Sequence, residues 1–315
     1  MYESLKALDN LTIDFSDGSF ILNIVLAFIM FGIALDIKGE QFKKLIMSPK
    51  PLILGAVLQT VALPAVTFLL VILFSRVITP TVAMGMILVA ACPGGNISNF
   101  MSSFSKGNTE LSVSLTAIST NLAVFMTPLN FFVWGTLYVN FINTRAVEML
   151  QPLVLDYLQV FQTVFIILGI PIILGMLCSR YLPMIALKLK KPLQGLSIIF
   201  FIALVVILFS KNWQLFVEHI HYVFIIVLIH NAVALLTGYG GATLFKQSDR
   251  NRRTLTIETG IQNSGLGLVL LFNPKIFPPE LAIGGMLFIT AWWGIWHIVS
   301  GLAISTYWSR RPPKD

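Results

Sequence analysis

Nine apolar segments, each near membrane length, run between residues 20 and 308 with short polar turns between them. They fall at 20–37, 49–74, 80–106, 108–138, 156–182, 192–210, 219–245, 253–274 and 279–308. A bilayer core takes about 20 apolar residues of helix to cross. Lipid leaves no backbone N–H or C=O unpaired, so such a chain folds as spanning helices or as a closed barrel. The runs are too long for barrel strands, which alternate over about ten residues. The expected fold is an all-α polytopic membrane protein of about nine transmembrane helices. Only 11% of the residues are charged, against about 25% in soluble domains.

The basic residues orient the bundle. With the 38–50 loop on the cytoplasmic side, sixteen of the 21 Lys and Arg lie inside, and only Lys6, Arg76, Arg145, Lys211 and Lys275 lie outside. The formal charge of +7 is therefore a topology signal and not a nucleic-acid signature. Residues 1–19 are expected outside as a polar, acidic segment without a cleavable signal, and 309–315 inside as a cytoplasmic tail. Cys92 and Cys178 sit in apolar segments without metal-ligand spacing and read as packed small residues.

Two spans carry helix-breaking chemistry. Cys92-Pro93-Gly94-Gly95-Asn96-Ile97-Ser98-Asn99 interrupts the third, and Gly260-Ile261-Gln262-Asn263-Ser264-Gly265 the eighth. Proline lacks the N–H and glycine tolerates a break. Each interrupted helix is third of four, in spans 1–4 and 6–9, and the second set starts on the opposite side of the membrane. That pattern is how an inverted-topology repeat reads in sequence. The fifth span has no partner in the first half, as in a 5+5 arrangement whose first helix is lost.

The polar residues gather near these breaks. Glu258 is a carboxylate in an apolar segment, costing roughly 2.5–3.5 kcal/mol to insert, so it is expected to hold a cation. Ser112, Thr116 and Ser119 share one face of the fourth span, and Gln59 lies in the second. Carboxylate, amide, hydroxyl and carbonyl oxygens suit a hard cation, not a transition metal. Half-helix starts near Asn96 and Asn263 carry partial positive charge that favours an anion. His230-Asn231 and His297 read as helix–helix hydrogen-bonding groups, with a proton relay as the sharper alternative. His219 and His221 read as solvated, Glu110 as interfacial, Trp292, Trp293 and Trp296 as packing or lipid-facing, and Asp36 as a cap, a gate or a solvated acid.

At these motifs the chain resembles the bile acid:sodium symporter family, from Met30–Leu35 to Trp296–Gly301. The pieces that carry the likeness are C-P-G-G-N-I-S-N at 92–99, L-S-V-S-L-T-A-I-S-T at 111–120 and T-I-E-T-G-I-Q-N-S-G at 256–265. F-P-P-E at 277–280 is similar to animal liver and intestinal carriers, whereas Q-N-S-G-L and W-H-I-V-S-G look bacterial. The resemblance implies an inverted repeat with two broken, crossing helices. It implies a core domain (spans 49–74, 80–106, 108–138, 219–245, 253–274, 279–308) and a panel domain (20–37, 156–182, 192–210). One sodium ion would be held by Ser98, Asn99, Ser112, Thr116 and Glu258. A second would be held by Gln59, Glu258, Gln262 and the carbonyls of Thr259 and Ile261. Asn96 and Asn263 would face the substrate.

The expected function is a sodium-coupled symporter, not an enzyme, importing an organic anion (a bile acid or a small carboxylate such as pantoate) by alternating access. The expected setting is a bacterial inner membrane, as a monomer with no nucleic-acid partner. The alternatives are a proton-coupled anion carrier working through Glu258 and His230, and a receptor that binds a sterol-like acid without moving it. No Ser/His/Asp set or paired acids accompany Glu258 to support an intramembrane enzyme.

Overall fold

The computed structural model describes residues 1–9, 19–35, 49–144, 162, 165–211, 213–274, 276–278 and 281–314. Asp36 and the rest of 36–48, Arg145, most of 145–164 at the start of the fifth expected span, Lys275 and Pro279-Glu280 lie outside these residues. The helices are α1 (Tyr2–Asp9), α2 (Ser19–Ala34), α3 (Pro49–Leu73), α4 (Pro80–Ala91), α5 (Ile97–Phe104), α6 (Thr109–Asn143), α7 (Ile170–Tyr181), α8 (Pro183–Lys211), α9 (Trp213–Leu244), α10 (Asp249–Gly260), α11 (Ser264–Leu271) and α12 (Gly284–Ser309).

Four of them, α3, α6, α9 and α12, are each long and apolar enough to cross a bilayer. Their outer surfaces are correspondingly greasy: Ile53, Val61, Leu69 and Leu73 on α3 and Leu236 and Leu244 on α9 are exposed. An apolar surface of that extent needs lipid to cover it. Helix α4 is the reverse, buried without a break from Val82 to Ala91, as an all-round apolar helix must be when it forms the centre of a bundle.

Helices α3, α4, α5, α6, α9, α10, α11 and α12 pack on one another, and α2 packs on α7 and α8. Among the described residues the two sets touch where residues 165–169 meet α6 and where α8 meets α9. Gly238 permits the close approach of α10 to α9. A Cβ there would lie 2.6 Å from the Leu255 carbonyl and 2.8 Å from the Thr256 Cα, both backbone atoms that cannot step aside.

Two π-helical turns have one cause. Leu58–Ala62 precedes Leu63-Pro64, and Phe165–Gly169 precedes Ile170-Pro171. A proline donates no N–H to the carbonyl four residues back, and its ring crowds that carbonyl. Pro64 thus frees the Thr60 carbonyl, which accepts instead from Asn130 Nδ2 at 2.9 Å. The widened turn contains Gln59. Wide turns of this kind recur at functional sites.

Several expectations need correction. The N-terminal segment is not merely polar: α1 buries Leu5 and Leu8 completely against the bundle. Its last residue, Asp9, accepts hydrogen bonds from Thr79 Oγ1 (2.7 Å) and Thr81 Oγ1 at the start of α4. Burial raises the Asp9 pKa above its ordinary value, although Thr81, Thr79 and Lys6 pull it down. His219 is not solvated: it is buried, with Nδ1 2.9 Å from the Leu215 carbonyl of its own helix. Pro192, taken as the start of a span, lies inside α8, which begins at Pro183.

Two turns end helices in the left-handed region without glycine. Lys106 (φ 58°) follows α5 and Lys246 (φ 51°) follows α9. Each is bonded back to the preceding helix, with Gly107 N–H donating to Ser102 and Gln247 N–H to Ala242. A side chain in this conformation costs roughly 1–2 kcal/mol that glycine does not bear. Lys106→Gly and Lys246→Gly are each expected to stabilise the detergent-purified protein by about 0.5–1 kcal/mol after glycine's larger chain entropy is subtracted, read as a raised thermal-unfolding midpoint. An unchanged or lowered midpoint in both would contradict this.

Candidate cation site at the paired helix breaks

Both interrupted helices divide alike, into twelve and eight residues: α4 with α5, and α10 with α11. Cys92, before Pro93, is extended, because proline disfavours helical geometry in the residue ahead of it. The freed backbone is paired across the two breaks. Gly95 N–H donates to the Ile261 carbonyl (2.8 Å) and Asn263 N–H to the Pro93 carbonyl (2.7 Å). Gly94 and Gln262 thereby form an antiparallel bridge. Unwound backbone within a bilayer needs such cover.

Glu258 lies two residues before the end of α10 and has no solvent exposure. Its Oε1 accepts from Ser98 Oγ of α5 (2.5 Å), from Ser112 Oγ of α6, and from Thr116 Oγ1 of α6 (3.3 Å). Thr116 also reaches Oε2, at 3.2 Å. Asn99 Oδ1 joins the cluster, accepting from Ser112 Oγ (2.9 Å) and Thr116 Oγ1 (3.3 Å). Ser98, Asn99, Ser112, Thr116 and Glu258 thus come together from three helices. Ser119 does not: its hydroxyl turns back to the Thr116 carbonyl of its own helix at 3.2 Å. A hydroxyl that donates to a carboxylate keeps two lone pairs, so the cluster remains a source of hard oxygens.

A second group gathers at the end of α10. Gln59 Nε2 donates to the backbone carbonyl of Glu258 at 2.5 Å. Gln262 Nε2 donates to the Thr259 carbonyl at 2.7 Å. The side-chain oxygens of Gln59 and Gln262 are buried and have no hydrogen-bond partner. Two buried amide oxygens without a partner are costly by about 1–3 kcal/mol each, and a cation is a fitting partner for both. The Thr259 and Ile261 carbonyls each already accept one hydrogen bond, which leaves one lone pair apiece.

Asn96 is exposed at the start of α5, and its side chain does not cap that helix. Asn263 is half-buried and caps α11 through Oδ1, 3.1 Å from Leu266 N. The end of α10 is also held from behind. Asn231 Nδ2 donates to the Gly260 carbonyl at 2.8 Å, and Asn231 Oδ1 accepts from Ser300 Oγ of α12 at 2.5 Å. His230 pairs with Thr67 of α3 at 2.9 Å.

Three neighbouring features were not foreseen from the sequence: the role of Asn130, the burial of Arg253 and the close approach at Gly94. Asn130 shows itself only once Pro64 is seen to strip the Thr60 carbonyl of its donor. Arg253, counted among the loop charges, is 3% exposed. Gly94 lies against both groups, since a Cβ there would stand 2.6 Å from Gln59 Nε2 and 3.1 Å from Glu258 Oε2.

Comparison with known proteins points the same way as the buried oxygens. The profile of the Sodium Bile acid symporter family matches residues 23–219. The chain is 32% identical over 293 residues to a Bacillus subtilis (strain 168) protein named uncharacterized sodium-dependent transporter YocS, spanning 93% of this chain and 84% of that one. It is 27% identical over 283 residues to the mouse sodium-dependent organic anion transporter, spanning 89% and 71%. It is 29% identical over 295 residues to human sodium/bile acid cotransporter 4, spanning 91% and 64%. With more than half its length inside the profile and relatives along almost all of it, the chain belongs to the sodium bile acid symporter family, a family of sodium-dependent transporters.

Proposed function

We propose that this protein is a symporter that imports an organic anion together with two sodium ions by alternating access, and that it works as a monomer in a bacterial inner membrane. The observation that carries the proposal is the fully buried Glu258, ringed by hydroxyl and amide oxygens from α5 and α6 at the point where two broken helices meet. Sodium offsets the charge of that carboxylate, and Ser98, Asn99, Ser112 and Thr116 complete its shell. The second ion takes Gln59, Gln262, Glu258 and the carbonyls of Thr259 and Ile261, which gives the two orphaned amide oxygens a partner.

In this reading α2–α6 and α8–α12 are the two halves of an inverted repeat within a nine-span chain, its N-terminus outside and its C-terminus in the cytoplasm. Helices α3–α6 and α9–α12 form the core domain, and α2, α7 and α8 the panel. The separate packing of these two sets supports it. Ions fix the paired breaks, and the half-helix starts at Asn96 and Asn263 then present their partial positive charge to the anion. Core and panel move against each other around the occupied site. Thermodynamic linkage requires that sodium and the anion raise each other's affinity by the same factor.

The test is uptake of labelled taurocholate, with pantoate in parallel, into proteoliposomes under an inward sodium gradient, against a potassium control. Sodium-driven accumulation of either is the expected result and names the substrate class. Flux driven by a pH gradient and indifferent to sodium would make the protein a proton-coupled carrier. Binding without flux would make it a receptor.

A further inference from the structure

Helices α5 and α10 lie side by side and antiparallel, both reaching the same way from the paired breaks. α5 starts at the breaks and ends at Ser105, whereas α10 starts at Asp249 and ends at the breaks. At the break end they are joined by the Gly95–Ile261 hydrogen bond and by Ser98 on Glu258. At the far end the turn after α5 bonds to α10 through Asn108, which donates to the Arg250 carbonyl and to Asn251 and accepts from Thr254, and α5 itself is tied by Arg253.

Arg253 Nη1 donates to the carbonyls of Ser105 (2.8 Å), Trp308 (3.1 Å) and Arg311 (3.1 Å). Its Nη2 donates to Asp249 Oδ2 (2.9 Å) and to the Pro312 carbonyl (3.3 Å). Ser105 caps α5, and Trp308 lies in the last turn of α12. A guanidinium placed among the last carbonyls of two helices sits where their dipoles favour positive charge. Asp249 in turn accepts from Arg252 (2.6 Å) and from the Lys314 N–H (3.1 Å). Burial would raise the Asp249 pKa, but the bonds from Arg252 and Lys314 and the two guanidinium charges outweigh it and hold it below its ordinary value. The carboxylate therefore stays charged and keeps Arg253 in place.

We infer that Arg253 is a positioning residue for sodium: it clamps the far ends of α5 and α10 and so sets the spacing between Ser98 and Asn99 on one helix and Glu258 on the other. Arg253 does not touch the ion cluster. It stands five residues from Glu258, about 7.5 Å along the helix axis. Segment 310–314 is the third member of the clamp and thereby acts on ion affinity from outside the membrane core. The inference rests on the sodium reading of the Glu258 cluster. Groups that orient ion ligands in this indirect way are commonly worth about 10–100-fold in affinity.

The experiment measures two quantities on the purified full chain and two variants: the sodium concentration giving half-maximal thermal stabilisation, with potassium as control, and the anion uptake rate at saturating sodium. Arg253→Lys keeps the charge but lacks the planar fork needed to serve several carbonyls at once. It is expected to raise the half-saturating sodium concentration by about tenfold, with the uptake rate at saturation little changed. Deleting residues 310–315 removes two carbonyl acceptors and leaves Arg253 on Asp249, so it shifts the value the same way by less. If Arg253→Lys does not fold, the deletion decides. A lowered melting temperature with unchanged half-saturation in the variants would show a purely structural role and overturn the inference alone. A wild-type protein that does not respond to sodium would overturn both the inference and the reading beneath it.

Discussion

Glu258→Ala is expected to abolish sodium-dependent uptake and sodium-dependent thermal stabilisation while the protein still folds. The carboxylate is the only formal charge among the oxygens of the proposed first site and is shared with the second. Removing one partner of a buried charge interaction costs on the order of 3–5 kcal/mol, or a loss of at least about a hundredfold in ion affinity. The fold should survive. The mutation also removes the penalty of burying an acid, and the hydroxyls of Ser98, Ser112 and Thr116 have other acceptors in Asn99 Oδ1 and in the carbonyls of their own helices. Glu258→Gln separates charge from shape: it keeps the side-chain volume, and it too should lose the sodium response. Sodium-driven uptake retained in both variants would sink the assignment of the cluster.

The parts of this architecture that were legible in the sequence are those where lipid makes a residue expensive. A proline beside two glycines, or a glutamate beside a Gly-Gln-Asn run, has no cheap explanation in a spanning helix. The breaks at 92–96 and 261–263 could therefore be anticipated, whereas the grouping of Ser98, Asn99, Ser112, Thr116 and Glu258 was implied by the family resemblance. Three features fell to weaker signals. Helix α1 has only eight residues, too few for periodicity to stand out, and Leu5 and Leu8 were its only cue. The wide turn at Gln59 was written in Pro64, but a proline five residues on reads as a kink until the fate of the Thr60 carbonyl is traced. Arg253 was hard to see because, apart from Asp249 four residues earlier, its partners are main-chain carbonyls at 105, 308, 311 and 312, which no side-chain pattern announces. Boundaries slipped for a similar reason. The fourth and seventh expected spans stop at 138 and start at 219, whereas α6 continues to Asn143 and α9 begins at Trp213. Polarity marks the edge of the lipid and not the end of the hydrogen-bond ladder.

Gly94→Ala is expected to give a folded protein with a weakened sodium response, through Gln59. No glycine among the described residues has a positive φ, so alanine meets no backbone strain at this position. The whole effect comes from the added methyl, 2.6 Å from Gln59 Nε2 and 3.1 Å from Glu258 Oε2. The nearer atom is the tip of a flexible side chain and the further one belongs to a carboxylate fixed by three hydroxyls, so Gln59 is the group that yields. Doing so, it loses its hydrogen bond to the Glu258 carbonyl and moves its orphaned oxygen. Displacing one neutral oxygen ligand should raise the half-saturating sodium concentration by about 10–100-fold, less than the loss of Glu258. The route can be checked with a double-mutant cycle. If Gly94 acts through Gln59, then Gln59→Ala and Gly94→Ala together do little more than either alone, because residues that share one interaction are not additive. Fully additive losses would mean that the methyl presses on Glu258 itself. A wild-type sodium response in Gly94→Ala would mean that Gln59 holds no ion, and that the second site must be built from other oxygens.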